Sequence, residues 1–207
     1  MESNRHQPNS TTISEFWDWF AQSAAARLAR VKDGTEPIIQ ELDGRLERMG
    51  LSWEMGPAPG EPSAWALAIS FGANLEYLPQ ARMVVDLAPP VPGWQVVLGK
   101  PPKQWDWRFS LPKSEDGWVD FDASGWRCAI EVRPDGQMAV LLSMGQLSPD
   151  QERGAEWAAE IAVQGAIGEL AFATQIAELV IASPVEVAGS PGRKCLLQRL
   201  SGEIRPS

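Results

Sequence analysis

Histidine is almost missing from this sequence: one residue, His6, among 207. It falls in a polar stretch, Met1 to Ser10, whose composition predicts a disordered arm in which packing cannot position the ring. Ser-His-Asp and Cys-His nucleophile systems, His-ligated zinc and most imidazole general bases are thereby excluded. Cysteine is equally scarce. Cys128 and Cys195 are too widely spaced for a disulfide framework or a metal knuckle. Their apolar neighbours, Ala129-Ile130 and Leu196-Leu197, predict buried free thiols in a reducing cytoplasm. Long apolar runs are absent too. The most apolar late segment, Leu170 to Ala182, is interrupted by Thr174, Gln175 and Glu178, and the N-terminus lacks the apolar core of a secretory signal. Positive charge is in deficit, with 18 Lys and Arg against 27 Asp and Glu, a net charge of -9. Such a surface repels nucleic-acid backbones and anionic membranes, so neither is an expected partner. Glycine is plentiful, but no run forms a phosphate-cradling loop before a helix.

The order of elements predicts an α+β fold: a mainly antiparallel sheet of five to seven strands, flanked by helices near the N-terminus and in the C-terminal half. Residues 11–203 are expected to form one domain, with a disordered arm at 1–10 and a flexible tail at 204–207. A Thr12–Glu15 capping box and the stripe Ile13, Phe16, Trp17, Phe20, Ala24, Leu28, Val31 predict a helix over 12–31. A second is predicted over 36–49, stopped by Gly50. Strands follow at 51–55, 64–70 and 94–98, with a Pro/Gly loop at 56–62 and a short helix from Pro79 to Leu87. Further strands are predicted at 105–111, 126–133 and 138–143, the last two joined by a Pro134-Asp135-Gly136 turn. Ser148-Pro149-Asp150-Gln151 opens a helix running to Ile167, and Gly168 ends it. Two β pieces, around 176–181 and 194–200, complete the chain. The proline clusters at 57–62, 89–92 and 101–102 lie between these elements and are read as turns rather than polyproline ligands. No internal repeat is evident.

Among candidate sites, Asp120-Phe121-Asp122-Ala123-Ser124-Gly125 followed by Glu131 has the spacing of an EF-hand calcium loop. The flanks lack helix character, and a strand at 126–133 would turn Glu131 away from such an ion, so the segment is read as an acidic turn and no metal or cofactor is assigned. Glu152, Glu156 and Glu160 recur every four residues, as on a solvated helix face. Tryptophan is the outlier. Ten are present, about three to four times ordinary usage. Trp-Asp-Trp occurs twice. On a helix, Trp17 can be buried while Trp19 sits near the rim. On a strand, Trp105 and Trp107 would lie side by side with Phe109, amid Lys100, Lys103 and Arg108. Such a row is either the core face of a sheet or a platform for a partner.

The sequence further presents Phe16-Trp17-x-Trp19-Phe20, Leu51-x-x-Glu54, an alternating strand from Trp65 to Ser70, Ala88-Pro89, Pro92-Gly93-Trp94 and Gly168-Glu169. This succession, spread over residues 15–170, resembles a family of small bacterial cytoplasmic proteins, some of them encoded among polymorphic-toxin accessory and immunity genes. The resemblance implies a cytoplasmic location and brings no catalytic motif.

The leading expectation is a non-enzymatic protein-binding module, an immunity or adaptor protein taking a basic partner through Trp19, Trp105, Trp107 and the acids Glu115, Asp116, Asp120 and Asp122. Two other readings stand beside it. One is a carbohydrate-binding protein or carboxylate-dependent glycan enzyme. The other is a structural subunit whose exposed tryptophans bury against another copy.

Overall fold

A computed structural model describes residues 10–31, 36–113 and 117–204 of the chain. The fold is α+β, with antiparallel pairing dominant. The chain groups into two compact units, Met1–Pro101 and Pro102–Ser207. The strands form three separate sheets rather than one of five to seven strands.

In the first unit the N-terminal stripe folds as expected, but the helix is not uniform. Helix α1 (Ser10–Trp19) passes through a π-helical turn (Phe20–Ala24) into the short α2 (Ala25–Leu28). The Ala25 N–H donates to the Phe20 carbonyl, five residues back. The wider turn keeps Phe20, Ala24, Ala25 and Leu28 buried together with Ile13, Phe16 and Trp17. The helix begins at Ser10, so Thr12 lies within its first turn instead of capping it. Helix α3 (Pro37–Glu47) starts at proline, whose missing N–H costs nothing there, and buries Ile38, Ile39, Leu42 and Leu46. Gly50 then turns the chain with φ +67°, and a Cβ there would stand 2.9 Å from the Tyr77 ring.

Strands β1 (Ser52–Ala58) and β2 (Glu61–Ser70) form an antiparallel hairpin, so the loop expected at 56–62 shrinks to a tight turn at its tip. Helix α4 (Leu78–Asp86) carries the chain across to β3 (Trp94–Leu98), which pairs parallel with β2.

The second unit opens with an antiparallel ribbon, β4 (Arg108–Pro112) and β5 (Trp118–Asp122). The hairpin β6 (Arg127–Val132) and β7 (Met138–Ser143) follows. Helix α5 (Pro149–Arg153) has the expected capping box, the Gln151 N–H donating to Ser148 Oγ and the Ser148 N–H to Gln151 Oε1. The helix predicted as continuous to Ile167 breaks at Gly154, and α6 (Ala155–Ile167) follows. Gly168, at φ +83°, ends α6 and redirects the chain into another helix, α7 (Glu169–Gln175), where no helix is expected. Strand β8 (Ile176–Ile181) pairs parallel with β7. A helix α8 (Pro184–Gly189), strand β9 (Arg193–Leu196), a 3-10 turn (Leu197–Arg199) and α9 (Leu200–Glu203) finish the unit. The sheet order is β8-β7-β6-β9. Its core face, with Cys128, Ile130, Val140 and Leu142, packs in one cluster with the small-residue face of α6, from Ala155 to Ala166. Of the arm expected at 1–10 and the tail at 204–207, residues 1–9 and 205–207 lie outside the described residues; Ser10 is helical and Ile204 is buried.

Both units share one succession: an antiparallel hairpin, a helical crossover, then a strand parallel to the hairpin's second strand. Among the described residues, no helix is long and apolar enough to cross a membrane.

Candidate functional site

Of the ten tryptophans, Trp17 and Trp126 are buried, six are half-buried, and only Trp118 and Trp157 are exposed. This sorting decides which of them can meet a partner. Trp105 and Trp107 are not on a strand, because β4 begins at Arg108. Trp107 instead adopts φ +66°, a left-handed conformation that costs a non-glycine residue about 1–2 kcal/mol. The Trp107 carbonyl accepts from Ala123 N–H at 2.8 Å, and Asp106 Oδ1 accepts from Arg108 N–H at 3.1 Å, holding the turn. The turn still brings the rings together. Trp105 lies 5.4 Å from Trp107 and stacks on Phe109 at 5.5 Å, and Phe109 stacks in turn on Phe121. Trp107 and Phe109 are packed against the core of the second unit, so this row belongs mainly to that core.

Trp105 is seated on Gly165 of α6. A Cβ at Gly165 would stand 2.8 Å from its six-membered ring, and Lys103 N–H donates to the Gly165 carbonyl at 2.7 Å. Gly-to-Ala in a helix interior ordinarily gains about 1 kcal/mol. Gly165→Ala is expected to reverse that sign and destabilise by about 1–3 kcal/mol, because the ring must leave its seat. Urea unfolding measures the sign, and a stabilised variant would contradict the seating.

The β4–β5 ribbon separates its residues by face. Phe109, Leu111, Val119 and Phe121 point to the core; Arg108, Ser110, Pro112, Trp118, Asp120 and Asp122 are exposed. The paired positions are Arg108 with Asp122, Ser110 with Asp120, and Pro112 with Trp118. Trp118, at 69% exposure, is the most exposed of the tryptophans, and period-two geometry places it on one face with Asp120 and Asp122. Asp120 Oδ1 accepts from Ser110 Oγ at 2.6 Å. Asp122 accepts from Ser124 N–H at 2.9 Å and from Arg108 Nε at 3.2 Å. The Ser124 hydrogen bonds, followed by Arg108, hold the Asp122 carboxyl below its ordinary value. Asp150, similarly lowered by Lys113, lies on α5, which packs against β5. Glu115 and Asp116 lie outside the described residues.

Trp19 belongs to the first unit. It is half-buried, with the Arg45 guanidinium 4.3 Å above its ring and Phe16 at 5.9 Å, so Arg45 occupies a face otherwise open to a partner. In the EF-hand-like segment, Asp120 and Asp122 are on a strand. Glu131 Oε1 accepts from Ser190 Oγ at 2.7 Å, away from that loop. Among the described residues, no three His, Cys, Asp or Glu side chains gather to hold a metal ion.

The two cysteines, widely separated in sequence, are directly opposite on paired antiparallel strands β6 and β9. Their sulfurs are 3.2 Å apart. Cys128 is buried as expected, whereas Cys195 is half-exposed. The thiol–thiol hydrogen bond with Cys128 lowers the Cys195 thiol, assisted by Arg193 and Arg199 against burial and Glu203. The same bond and burial push Cys128 up. Cys195 therefore ionises first, and Cys128 keeps its proton. A pocket of about 520 Å³ adjoins the pair, with Arg127, Lys194 and Arg199 in its wall. Neither a family model, nor a curated protein, nor a solved structure matches this chain.

Proposed function

We propose that this protein is a non-enzymatic, cytoplasmic binding module, an immunity or adaptor protein that receives a basic protein partner on the outward face of the β4–β5 ribbon. The observation that carries the reading is the placement of exposed Trp118 on one face with Asp120 and Asp122. A large ring left in water is a binding anchor when a partner desolvates it, and flanking carboxylates on a chain of net charge -9 draw a basic partner in. Trp118 takes the anchoring role that sequence assigned to Trp105 and Trp107.

The test is retention of partners from native lysate at low salt by the wild type and by two variants. One stoichiometric basic protein, released by raised ionic strength, is expected on the wild type. With that protein purified, Trp118→Ala is expected to weaken binding by about 30-fold or more, chiefly through dissociation. Asp120→Asn with Asp122→Asn is expected to slow association at low salt and to lose that effect at high salt. No salt-released partner, or one held equally by both variants, defeats the proposal. A shallow groove of about 430 Å³, lined by Arg108, Ser110, Asp120, Asp122 and Gln151 among others, supports the carbohydrate reading as the second one. A blank glycan array removes it.

A further inference from the structure

We propose that Cys195 and Cys128 form a two-electron thiol–disulfide exchange site that accepts an anionic low-molecular-weight disulfide, Cys195 attacking and Cys128 resolving. This pair is separate from the β4–β5 face. Cys128 pairs with Cys195 across β6 and β9, so both side chains leave the sheet on the same side. Directly opposed residues in an antiparallel pair have Cα atoms about 4.5–5.5 Å apart, within the span of a disulfide. With the sulfurs already at 3.2 Å, bond formation requires them to close by roughly 1.2 Å and requires no change of strand register.

The roles follow from access. Cys195, half-exposed on the edge strand, can be reached by a disulfide in solution, while Cys128 is fully buried behind it. The charge of the co-reactant follows from the rim. Arg193, two positions from Cys195 on β9 and so on its face of the sheet, and Arg199, in the 3-10 turn that follows, are exposed and act on the Cys195 thiol as positive charges. The acid beside them, Glu203, is ion-paired with Arg193. On a chain with nine more acids than bases, this is a local cationic surface beside the reachable sulfur, and it favours a carboxylate-bearing disulfide.

The exchange balances without a further reactant. The Cys195 thiolate attacks one sulfur of the small disulfide, forming a mixed disulfide and expelling one small thiolate. Cys128 then gives up its proton and attacks the Cys195 sulfur. The second small thiolate leaves. The protein dithiol is oxidised by two electrons to a Cys128–Cys195 disulfide. The small disulfide is reduced to two thiols, which take up the two protons.

The full-length reduced protein is incubated with oxidised glutathione, quenched with acid over time, and read by intact-mass and peptide-mapping spectrometry. The wild type is expected to lose two hydrogen atoms with the bond mapped to Cys128–Cys195. Cys128→Ser is expected to accumulate one glutathione adduct on Cys195, and Cys195→Ser to accumulate neither product at a comparable rate. The cationic disulfide cystamine supplies the charge test. Arg199→Glu is expected to slow the glutathione reaction about three- to tenfold at low salt and to speed the cystamine reaction. Two wild-type results overturn the proposal without reliance on any variant: both thiols remaining reduced, or an adduct that forms first on Cys128. Equal slowing of both disulfides by the charge reversal overturns the anionic preference.

Discussion

Trp17→Ala lowers the stability of the first unit by about 3–5 kcal/mol, the cost of emptying a fully packed aromatic site. Trp17 is 2% exposed, with Phe16 at 4.7 Å and Phe20 at 5.5 Å, both edge to face. Its indole N–H donates to the Val84 carbonyl at 2.8 Å, which ties α1 to α4. The ring and the hydrogen bond are separable. Trp17→Phe retains much of the packing but leaves a buried carbonyl without its donor, a loss of about 1–3 kcal/mol. Domains of this size are stable by only about 5–15 kcal/mol, so the alanine change removes a large share. Urea titration followed by circular dichroism should rank wild type above Trp17→Phe above Trp17→Ala. An alanine variant within 1 kcal/mol of wild type would show that the site collapses onto the missing ring.

That core was legible before any coordinates, because a stripe at spacings of three and four can bury itself in only one way on a helix. Strands were legible where an apolar run is bounded by turn residues: Trp94–Leu98, Met138–Ser143 and Ile176–Ile181 fall at the expected positions. The errors have local causes. Pro57 suggested a loop, but β1 is an edge strand, where a missing N–H leaves no partner unsatisfied. In the segment Trp118–Asp122 the acids mask a strand. Its inward pair, Val119 and Phe121, shows the period-two pattern that makes it a strand. Helix α8 carries a signal that was missed, Ser183-Pro184-Val185-Glu186, the same capping arrangement that correctly opened α5. Helix α7 was hidden by Gly168, which ends one helix but, at φ +83°, only redirects the chain into the next.

The candidate sites were less legible because each depends on registration between distant segments. A Trp-Asp-Trp triplet read as a strand puts two rings on one face. The left-handed turn at Trp107 also brings them together, but with Trp107 packed against the core, whereas Trp118 is the most exposed of the ten. The approach of Cys128 to Cys195 depends on the pairing of β6 with β9, a strand of four residues separated from β6 by four helices and two strands. The shared hairpin–crossover–strand succession of the two units escaped repeat detection for a related reason. One crossover uses the single helix α4, the other uses α5, α6 and α7, so no constant period exists.

Oxidation of the cysteine pair raises the stability of the second unit by up to about 4 kcal/mol, the chain-entropy value for closing so long a loop. The two residues are 67 positions apart, and the segment between them contains β7, α5, α6, α7, β8 and α8. Tethering its ends restricts the unfolded chain, whereas the folded chain already holds the sulfurs 3.2 Å apart on paired strands. Little native strain then opposes the gain, which separates this pair from bridges introduced where the backbone must move. For a unit of about 100 residues, each kcal/mol corresponds to about 4–8 °C, so a rise of more than about 10 °C is expected on oxidation. Thermal unfolding with and without a reducing agent measures the difference, and Cys195→Ser should remove it by making the transition independent of redox conditions. A wild-type transition that stays put, or falls, on verified oxidation would mean that bond formation distorts the β6–β9 pairing. The bridge would then be a destabilising switch rather than a staple.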